Sequence, residues 1–495
     1  MSYAAAVDHL YALGHELAPA SPGAPRRKFD LAHMRTLAAA LGDPQTAFPS
    51  ILIAGTNGKG STAATLASIL NAAGYRTGLY TSPHLIRVNE RIQIDGADIP
   101  DEDFARLYFE VDEAARRLVV AGDLPHPPSF FEVLTALAFL YFAGKGPGQP
   151  APVDIAILEV GLGGRLDATN IVDPLLSVIT DIALDHQDYL GDTIAEITRE
   201  KAGILRRSGT LITLPQHPEA NEAIGEAAAS LNLRAISAAN FIPHQPPRSS
   251  HASNHASNHA SNSDEPLLES PLPRNHYAVT LNGEPLEIDS PLPGHHQQRN
   301  IALAIAAANE LRNLDGYKLI QTGTTRNYGG YKITNAAIEA GIRNTKWPGR
   351  LELLTFPEGP RLLIDVAHNP AGAWTLRAAI AQLPEAQPRT LLFSCLRDKD
   401  LKEMSQILFP LFDSNSGEPE RSKDHILFAP IDNPRAASLE DLLAAAHALE
   451  IPAHAAPDLA AALAEARTIT PSNGLVIATG SVYLVGEIRQ LAVQG

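Results

Sequence analysis

The chain has 495 residues, which allows about three domains and a large buried core. Hydrophobic residues make up 45% and charged residues 19%, which is typical of a globular protein rather than a disordered or fibrous one. The formal net charge of −16 argues against nucleic-acid binding, so an anionic substrate would need a local basic pocket.

Neither the N-terminal segment nor the most apolar stretch predicts a membrane anchor. Met1–Leu17 lacks a basic head and a continuous apolar core, and its apolar spacing predicts an amphipathic helix. Val133–Ala143 is too short to cross a bilayer, which takes about 20 residues. The single cysteine, Cys395, allows no intramolecular disulfide, which fits a reducing compartment. We therefore expect a cytoplasmic protein without a membrane segment.

A glycine-rich turn follows the first predicted strand. Asp30–Leu41 predicts a helix that stops at a Gly-Asp-Pro sequence. Ile51–Ile53 predicts a buried parallel strand, and Ala63–Ala73 predicts a helix. Between them lies the sequence Ala-Gly-Thr-Asn-Gly-Lys-Gly-Ser-Thr, residues 54–62. A strand, a glycine-rich turn and a helix form the geometry that binds phosphate, through close backbone N–H groups and the helix dipole.

The side chains of this turn predict specific contacts with a nucleotide. Lys59 would contact the β- and γ-phosphates, and Ser61 or Thr62 would face a Mg²⁺ ion. Gly60 departs from the usual P-loop pattern, in which Ser or Thr directly follows the lysine. The alternative is an ordinary turn with three glycines, but the flanking strand and helix favour a nucleotide site.

Strands and helices then alternate along the chain. Ser129 and Glu132 have the spacing of a capping box at the start of a helix. The alternation predicts an α/β fold with a doubly wound parallel sheet, in which ligands bind beyond the carboxyl ends of the strands. Glu159, His186 and the phosphate turn all follow predicted strand ends. Further strands are predicted at Gly78–Tyr80, Ile155–Leu158, Leu176–Thr180 and Thr210–Leu214, and further helices from Asp101, from Ser129 and over Ile194–Ile204.

Four residues around these strand ends predict a metal site. Glu159, His186 and Ser82 could share one Mg²⁺, since carboxylate and hydroxyl oxygens suit a hard cation. Histidine is a less usual ligand and must be neutral. Each residue alone has an ordinary structural interpretation, but together with a phosphate turn they favour a metal. Lys201 is either a solvated helical lysine or an N-carboxylated lysine, whose carbamate could bind a second Mg²⁺.

Two polar insertions and a hinge follow. Phe241–Pro273 contains three His-Ala-Ser-Asn repeats, which favour a disordered surface insertion, spanning about residues 243–273, over a metal-binding tract. Gln321–Gly330 is predicted as a second loop. Trp347–Arg350 is predicted as a hinge, after which a fresh α/β pattern begins. We expect one domain over residues 1–348 and a smaller Rossmann-like α/β domain over residues 349–495.

The motifs, taken in order, resemble folylpolyglutamate synthase/dihydrofolate synthase, a branch of the Mur ligase superfamily. A glycine after the phosphate-loop lysine is typical of that superfamily, and the resemblance runs along the whole chain except the two insertions. The motifs are Gly55–Ser61, Thr81–Leu85, Glu159–Asn170, Asp185-His186, Glu200–Ile204, Trp347–Arg350, Asp365–Pro370 and Gly480–Leu484.

The resemblance implies a role for each matched residue. Lys59, His186 and Lys201 would be catalytic, with Lys201 carbamylated. Mg²⁺ would occupy two sites, with ligands from Ser82, Glu159, His186, Ser61 and the Lys201 carbamate. ATP would be bound by Gly55, Thr56, Asn57, Gly58, Lys59, Gly60, Ser61, Thr62, Asn300, Arg350 and Asp365. The pterin substrate would be held by Asp30, Leu31, Ala32, His33, Ser129, Phe130, Phe131, Glu132, Leu166, Asp167 and Ala168. His368 and Asn369 would shape the interdomain cleft, and Ser394–Asp400 would lie near the incoming glutamate.

The implied function is an ATP-dependent ligase that adds L-glutamate to dihydropteroate and to reduced folates through an acyl phosphate. Three alternatives remain: folylpolyglutamate synthase activity alone, a Mur-type ligase acting on a cell-wall precursor, and a nucleotide switch without ligase activity. A cell-wall ligase usually has a separate N-terminal domain, whereas about 50 residues precede the phosphate turn here. A switch would leave the second domain unexplained. The expected partners are small molecules, and we expect a monomer.

Overall fold

The computed structural model describes residues 2–14, 30–144, 151–243, 272–314, 317–321, 324–328 and 330–494. An eight-stranded sheet forms the first half of the protein. Its strands are β1 (Ser50–Ala54), β2 (Thr77–Tyr80), β3 (Ile92–Ile94), β4 (Ala97–Asp98), β5 (Ile155–Glu159), β6 (Leu176–Ile179), β7 (Thr210–Thr213) and β8 (Arg234–Ser237). Their order is β4-β3-β2-β5-β1-β6-β7-β8.

The pairings from β2 through β5, β1, β6 and β7 to β8 are parallel, and only the two pairings of β3, with β2 and with the edge strand β4, are antiparallel. β1 lies at its centre, with Ile51 opposite Ile157 on one side and Leu176 on the other. The helices of this half are α1 (Tyr3–Ala12), α2 (Leu31–Ala40), α3 (Lys59–Ala72), α4 (Asp101–Ala121), α5 (Phe130–Ala143), α6 (Gln187–Leu190), α7 (Ile194–Ala202) and α8 (Pro218–Leu231).

Alternating side chains of β1 build a core on each face of this sheet. Leu52 and Ala54 belong to a cluster that also contains residues of α2, α4 and α5. Ile51 and Ile53 belong to a second cluster that contains residues of α3. Because both faces are covered, all five residues of the strand are buried, as expected for a central parallel strand.

Two hairpins and two helices connect this sheet to the rest of the chain. The hairpins are β9 (Asn275–Leu281) with β10 (Glu284–Ser290), and β11 (Tyr317–Gln321) with β12 (Thr324–Tyr328). The helices are α9 (His295–Arg312) and α10 (Asn335–Arg343), and both supply residues to the second cluster, alongside α3.

A six-stranded sheet forms the second half. Its order is β13-β14-β18-β15-β16-β17, and only β13 is antiparallel to its neighbour. The strands are β13 (Glu352–Leu354), β14 (Arg361–Ile364), β15 (Arg389–Phe393), β16 (His425–Phe428), β17 (His454–Ala455) and β18 (Leu475–Thr479). The helices are α11 (Pro370–Ile380), α12 (Leu401–Leu408), α13 (Leu439–His447), α14 (Leu459–Ile469) and α15 (Val482–Gln494).

The predicted α/β class and its central parallel strands are confirmed, while some local predictions are wrong. The loop predicted over Gln321–Gly330 contains strand β12 and the end of β11, because Thr and Tyr favour strands however polar the segment is. Helix α3 begins at Lys59 rather than Ala63, because the phosphate turn itself forms the first helical turn. Residues 15–17 of the predicted first helix and residues 244–271 of the insertion lie outside the described residues. No helix within the described ranges is both long and apolar enough to cross a membrane.

Gly341 on α10 gives a stability test of the contact between α10 and α3. A Cβ atom at this position would lie 2.3 Å from the Ile69 Cα atom, in backbone that cannot move aside easily. We expect Gly341→Ala to destabilise the protein by about 1–3 kcal/mol, as other overpacked cores are destabilised.

Gly225→Ala is the matched control, since Gly225 lies within α8 and a Cβ there meets nothing within 4 Å. It should stabilise the protein by up to about 1 kcal/mol, because alanine is the better helix former. Thermal unfolding of both variants is the measurement. Equal melting temperatures would contradict the close packing at Gly341.

Candidate active site

The backbone of the turn between β1 and α3 lies so close to neighbouring residues that two of its positions can hold only glycine. A Cβ atom on Gly55 would lie 1.8 Å from the Thr180 Oγ1 atom, and one on Gly58 would lie 2.2 Å from the Asn300 Oδ1 atom. Gly58 also has a φ of 86°, which disfavours other residues. The Asp181 carbonyl accepts hydrogen bonds from the amides of residues 56 and 57 at 2.8 and 3.1 Å, which holds the turn against the end of β6.

Gly60, the departure from the usual P-loop pattern, has a structural explanation. A Cβ atom there would lie 2.6 Å from Cζ2 of Trp347 and 3.3 Å from Oε2 of Glu159. The glycine therefore makes room for the predicted hinge and for a buried carboxylate at the same point. The two residues that require glycine at this position, Trp347 and Glu159, lie far from it in the sequence.

One polar group in the first turn of α3 has no hydrogen-bond partner among the described residues, and two others have only a local or a weak one. Lys59 Nζ donates to the Thr56 carbonyl at 3.1 Å, within its own turn. Gln297 Nε2 donates weakly to Ser61 Oγ at 3.4 Å. The Thr62 hydroxyl is fully buried and has no hydrogen-bond partner among the described residues. A buried orphan hydroxyl beside a phosphate-type turn is what a site for an external oxygen-rich ligand requires.

Glu159 and Ser82 lie together at the carboxyl ends of β5 and β2. Glu159 is 4% exposed, and its Oε2 atom accepts the Ser82 amide at 3.2 Å. It makes no ion pair with another described residue. Burial raises the pKa of the Glu159 carboxyl to about 6, against the nearby positive charges of Lys59 and Arg350. A buried carboxylate that accepts so few hydrogen bonds from the protein is suited to bind a cation.

Lys201 contacts the start of the phosphate turn, and His186 lies near the Lys201 side chain. Lys201 is 5% exposed, and its Nζ atom donates to the Gly55 carbonyl at 2.8 Å, so the alternative of a solvated lysine is wrong. Burial and the charge of Lys59 lower the pKa of Lys201 to about 7. Burial also lowers the pKa of His186 to about 3, so its imidazole is neutral, as a metal ligand must be. No hydrogen bond or ion pair joins Glu159 to His186, both of which the structure describes.

The predicted nucleotide contacts from the second half converge near Trp347. The Arg350 guanidinium lies 6.0 Å from the Trp347 ring centre, and burial lowers the pKa of Arg350. The Asp365 carboxylate accepts the amides of residues 351 and 367, both at 2.9 Å, which fixes its position. His296, which was not among the predicted site residues, lies close to Arg350, and burial and then the charge of Arg350 lower the pKa of His296 to about 4. Its place in the segment that leads to Asn300 was the available signal.

Asn369 joins the second half of the protein to the phosphate turn. Its side-chain amide donates to Asn57 Oδ1 at 3.1 Å and to Asp185 Oδ2 at 3.0 Å. Its own Oδ1 atom caps α11 by accepting the Gly372 amide at 2.8 Å. Leu85, from the loop after β2, packs against the core cluster of the second half. The predicted role of residues 368 and 369 in shaping the cleft between the two halves agrees with this geometry.

The predicted pterin segments meet around a buried histidine. His33 Nδ1 lies 2.8 Å from Glu132 Oε1, and its Nε2 lies 3.0 Å from the His126 carbonyl. The rings of His33 and His126 lie 4.6 Å apart, and the sequence analysis missed His126. The capping box of Ser129 and Glu132 is confirmed. Asp30 caps α2 by accepting the amide of Ala32 at 2.8 Å.

Asp167 organises the loop that follows β5. One of its oxygens accepts the amides of Gly161 and Leu162, both at 3.0 Å. The other accepts the amide and hydroxyl of Thr169 at 3.0 and 2.5 Å. All these partners belong to the same loop. Phe131 packs directly on Gly161, where a Cβ atom would lie 2.6 Å from its ring.

Two family models match the chain. The Mur ligase middle domain matches residues 148–308, and the Mur ligase glutamate ligase domain matches residues 349–482. The dihydrofolate synthase/folylpolyglutamate synthase of Bacillus subtilis is 34% identical over 93% of this chain and 94% of its own length. The folylpolyglutamate synthase of Lacticaseibacillus casei is 32% identical over 93% of this chain and 94% of its own length.

The chain belongs to the dihydrofolate synthase/folylpolyglutamate synthase family. Solved structures of the family agree with the fold. E. coli FolC in complex with DHPP and ADP has a TM-score of 0.75 and 29% identity, with 100% of this chain and 98% of that chain covered. The folylpolyglutamate synthase of Mycobacterium tuberculosis, complexed with ADP and AMPPCP, has a TM-score of 0.75 and 29% identity, with 99% of each chain covered.

Gly60 provides a test of the contact between the phosphate turn and Trp347. Gly60→Ala should push Trp347 aside and weaken ATP binding about tenfold or more, since an overpacking cost of 1.4 kcal/mol is a factor of ten. Calorimetric titration with ATP is the measurement. Trp347→Phe removes the clashing atom, so the double variant should bind ATP more tightly than Gly60→Ala alone. Failure of this rescue would show that Gly60 is needed for another reason.

Proposed function

We propose that the protein is an ATP-dependent, ADP-forming ligase that joins L-glutamate to dihydropteroate and to reduced folates. The observation that carries this proposal is the meeting of the phosphate turn with Asn369 of the glutamate ligase domain. That contact puts a nucleotide site and a second domain at one cleft, in a chain that matches enzymes of this name over nearly its full length.

A carboxylate is a poor acyl donor, so the first step is its phosphorylation by the γ-phosphate of ATP. Lys59 and the turn amides of residues 55 and 58–60, which do not donate to Asp181, hold the phosphates and neutralise the charge that develops in transfer. Asn300, Arg350 and Asp365 hold the rest of the nucleotide. Ser82, Glu159 and His186 would bind a Mg²⁺ ion, with Ser61 close by, and the bound ion would further neutralise the phosphates. Two observations support this ligand set: the imidazole of His186 is neutral, and the carboxylate of Glu159 accepts a hydrogen bond from the Ser82 amide but forms no ion pair with a described residue.

The acyl phosphate must then react with the amino group of L-glutamate and not with water. The second domain covers the phosphate turn through Asn369, and the loop bearing Leu85 packs into the core of that domain. These contacts support a closed cleft that excludes bulk water. The segments Asp30–His33, Ser129–Glu132 and Leu166–Ala168 would hold the pterin at the other end of the substrate.

Lys201 is proposed to carry a carbamate that contributes to a second Mg²⁺ site. Carbamate formation needs a free amine, and a pKa of about 7 leaves a large fraction of Lys201 uncharged at neutral pH. The amine is also fixed in place by the Gly55 carbonyl. We further propose a domain boundary between residues 348 and 349, a monomeric state and a cytoplasmic location.

The carbamate proposal predicts a pH dependence. At constant dissolved CO₂, the carbamate content should rise as the pH passes upward through about 7, because the neutral amine is then the main form. The measurement is ¹³C NMR of protein equilibrated with labelled bicarbonate. Lys201→Arg should lack the signal at every pH, and a signal that survives in this variant would contradict the assignment.

The proposed function is tested by phosphate release from ATP with L-glutamate and Mg²⁺. One reaction contains dihydropteroate, a second contains tetrahydrofolate and a third contains neither. Release with both pterins supports the dual activity, and release with tetrahydrofolate alone supports a monofunctional folylpolyglutamate synthase. No pterin-dependent release from folded protein that binds ATP would favour another Mur-type ligase or a nucleotide switch. Lys59→Ala should abolish release while the protein stays folded, since the hydrogen bond of its ammonium to a described residue is to Thr56 of the same turn.

A further inference from the structure

Asp185 is a buried carboxylate at which the two halves of the protein meet. Its side chain is 8% exposed, and it follows β6 in the first half. The Lys399 ammonium, from the loop between β15 and α12, donates to Asp185 Oδ1 at 2.6 Å. Asn369 donates to Oδ2 at 3.0 Å, and the His368 Nε2 atom lies 3.7 Å from the same oxygen. Three residues of the second half therefore converge on one carboxylate of the first.

The loop that carries Lys399 is braced within its own domain. The Arg397 amide donates to the Arg435 carbonyl at 2.8 Å, and the Ala437 amide donates to the Cys395 carbonyl at 2.9 Å. Arg435 also pairs with Asp398 at 3.5 Å. Lys399 therefore reaches Asp185 from a fixed platform, and its side chain is only 6% exposed in the pair. Because this loop is held rigidly within the second domain, the position of that domain determines whether Lys399 can reach the Asp185 carboxylate.

Asp185 is also tied to the neighbouring His186. The oxygen that accepts the Lys399 ammonium, Oδ1, also accepts the His186 amide at 2.9 Å. His186 has a φ of 51°, a conformation that a non-glycine residue adopts only when its surroundings hold it there. Burying two charges costs desolvation free energy, and their mutual attraction offsets this cost only when both partners are present in good geometry. The position of His186 is thus linked to the presence of Lys399.

We propose that Asp185 is a positioning residue and that Lys399 is its closing partner. When the second domain closes over the nucleotide, the Lys399–Asp185 ion pair forms and fixes the backbone of His186 in its working position. When the domain opens, Lys399 leaves, and Asp185 becomes solvated. The ion pair thereby makes catalysis depend on closure. This inference rests on the proposed ligase function only for its kinetic readout.

Closure can be measured without ligation. Dyes on Val120→Cys and Val493→Cys, which replace exposed residues in the two halves, report the distance between the domains, and the buried native Cys395 should not react. A nonhydrolysable ATP analogue should bring the dyes to their closed distance in the otherwise unchanged protein. Lys399→Met and Asp185→Asn should reduce the closed fraction at least about tenfold, because each leaves a buried charge unpaired. Normal closure in both variants would overturn the proposal.

Ligase kinetics give the second readout. Each single variant should lower kcat about 100-fold, as a misplaced catalytic group does. The double variant Asp185→Asn/Lys399→Met should be no slower than the worse single variant, since the two residues act as one unit. Multiplicative losses in the double variant, or a raised KM for glutamate with kcat unchanged, would overturn the proposal. Inactivity of the unsubstituted protein would contradict the proposed function but leave the closure measurement valid.

The matched control is Asp424→Asn. Asp424 is a buried carboxylate paired with Arg421 at 3.1 Å, but both partners belong to the second half. This variant should unfold at a lower temperature yet close normally with the ATP analogue. Loss of closure in Asp424→Asn as well would show that the effect of the Asp185 and Lys399 variants is general destabilisation, which would also overturn the proposal.

Discussion

The structure depends on one steric constraint, the absence of side chains at residues 55, 58 and 60. Each of these glycines touches a different part of the protein, namely the end of β6, helix α9 and the Trp347 ring. The turn between β1 and α3 is therefore the point where otherwise separate elements meet. Backbone that is close to its neighbours on every side also presents its amides at a fixed position, which is what phosphate binding requires.

Burial of charged groups is the second feature of the cleft. Glu159, Lys201, Asp185 and Arg350 are all largely withdrawn from water, and a buried charge is costly unless it is paired. Asp185 is paired, and although burial raises its pKa, the nearby His368 side chain and the charge of Lys399 hold that pKa well below its usual value. Glu159, Lys201 and Arg350 form no ion pair with any other residue that the structure describes. These three groups are proposed to bind metal, to carry a carbamate and to contact the nucleotide, which fits the view that groups with perturbed pKa values collect at functional sites.

The sequence predicted the local features well, because they depend on neighbouring residues. The strand before the phosphate turn, the capping box at Ser129 and the ends of β5 and β6 all follow from periodicity and short spacing. The burial of Lys201 could not be predicted, since its helical spacing is that of an ordinary surface lysine. Nor could the ion pair of Asp185 with Lys399, whose partners are 214 residues apart. His126 was missed because a lone histidine carries no pattern of its own, whereas the position of His296, four residues before Asn300, was a signal that the prediction did not use.

The central claim is that the γ-phosphate of ATP activates a carboxylate at this cleft before glutamate attacks. The most direct test uses a pterin substrate whose reacting carboxylate is labelled with ¹⁸O, with ATP, Mg²⁺ and L-glutamate. An acyl phosphate transfers one labelled oxygen to phosphate when the amine displaces it, so mass spectrometry of the released phosphate should show that label. Release of phosphate without label, while the amide product forms, would contradict the account.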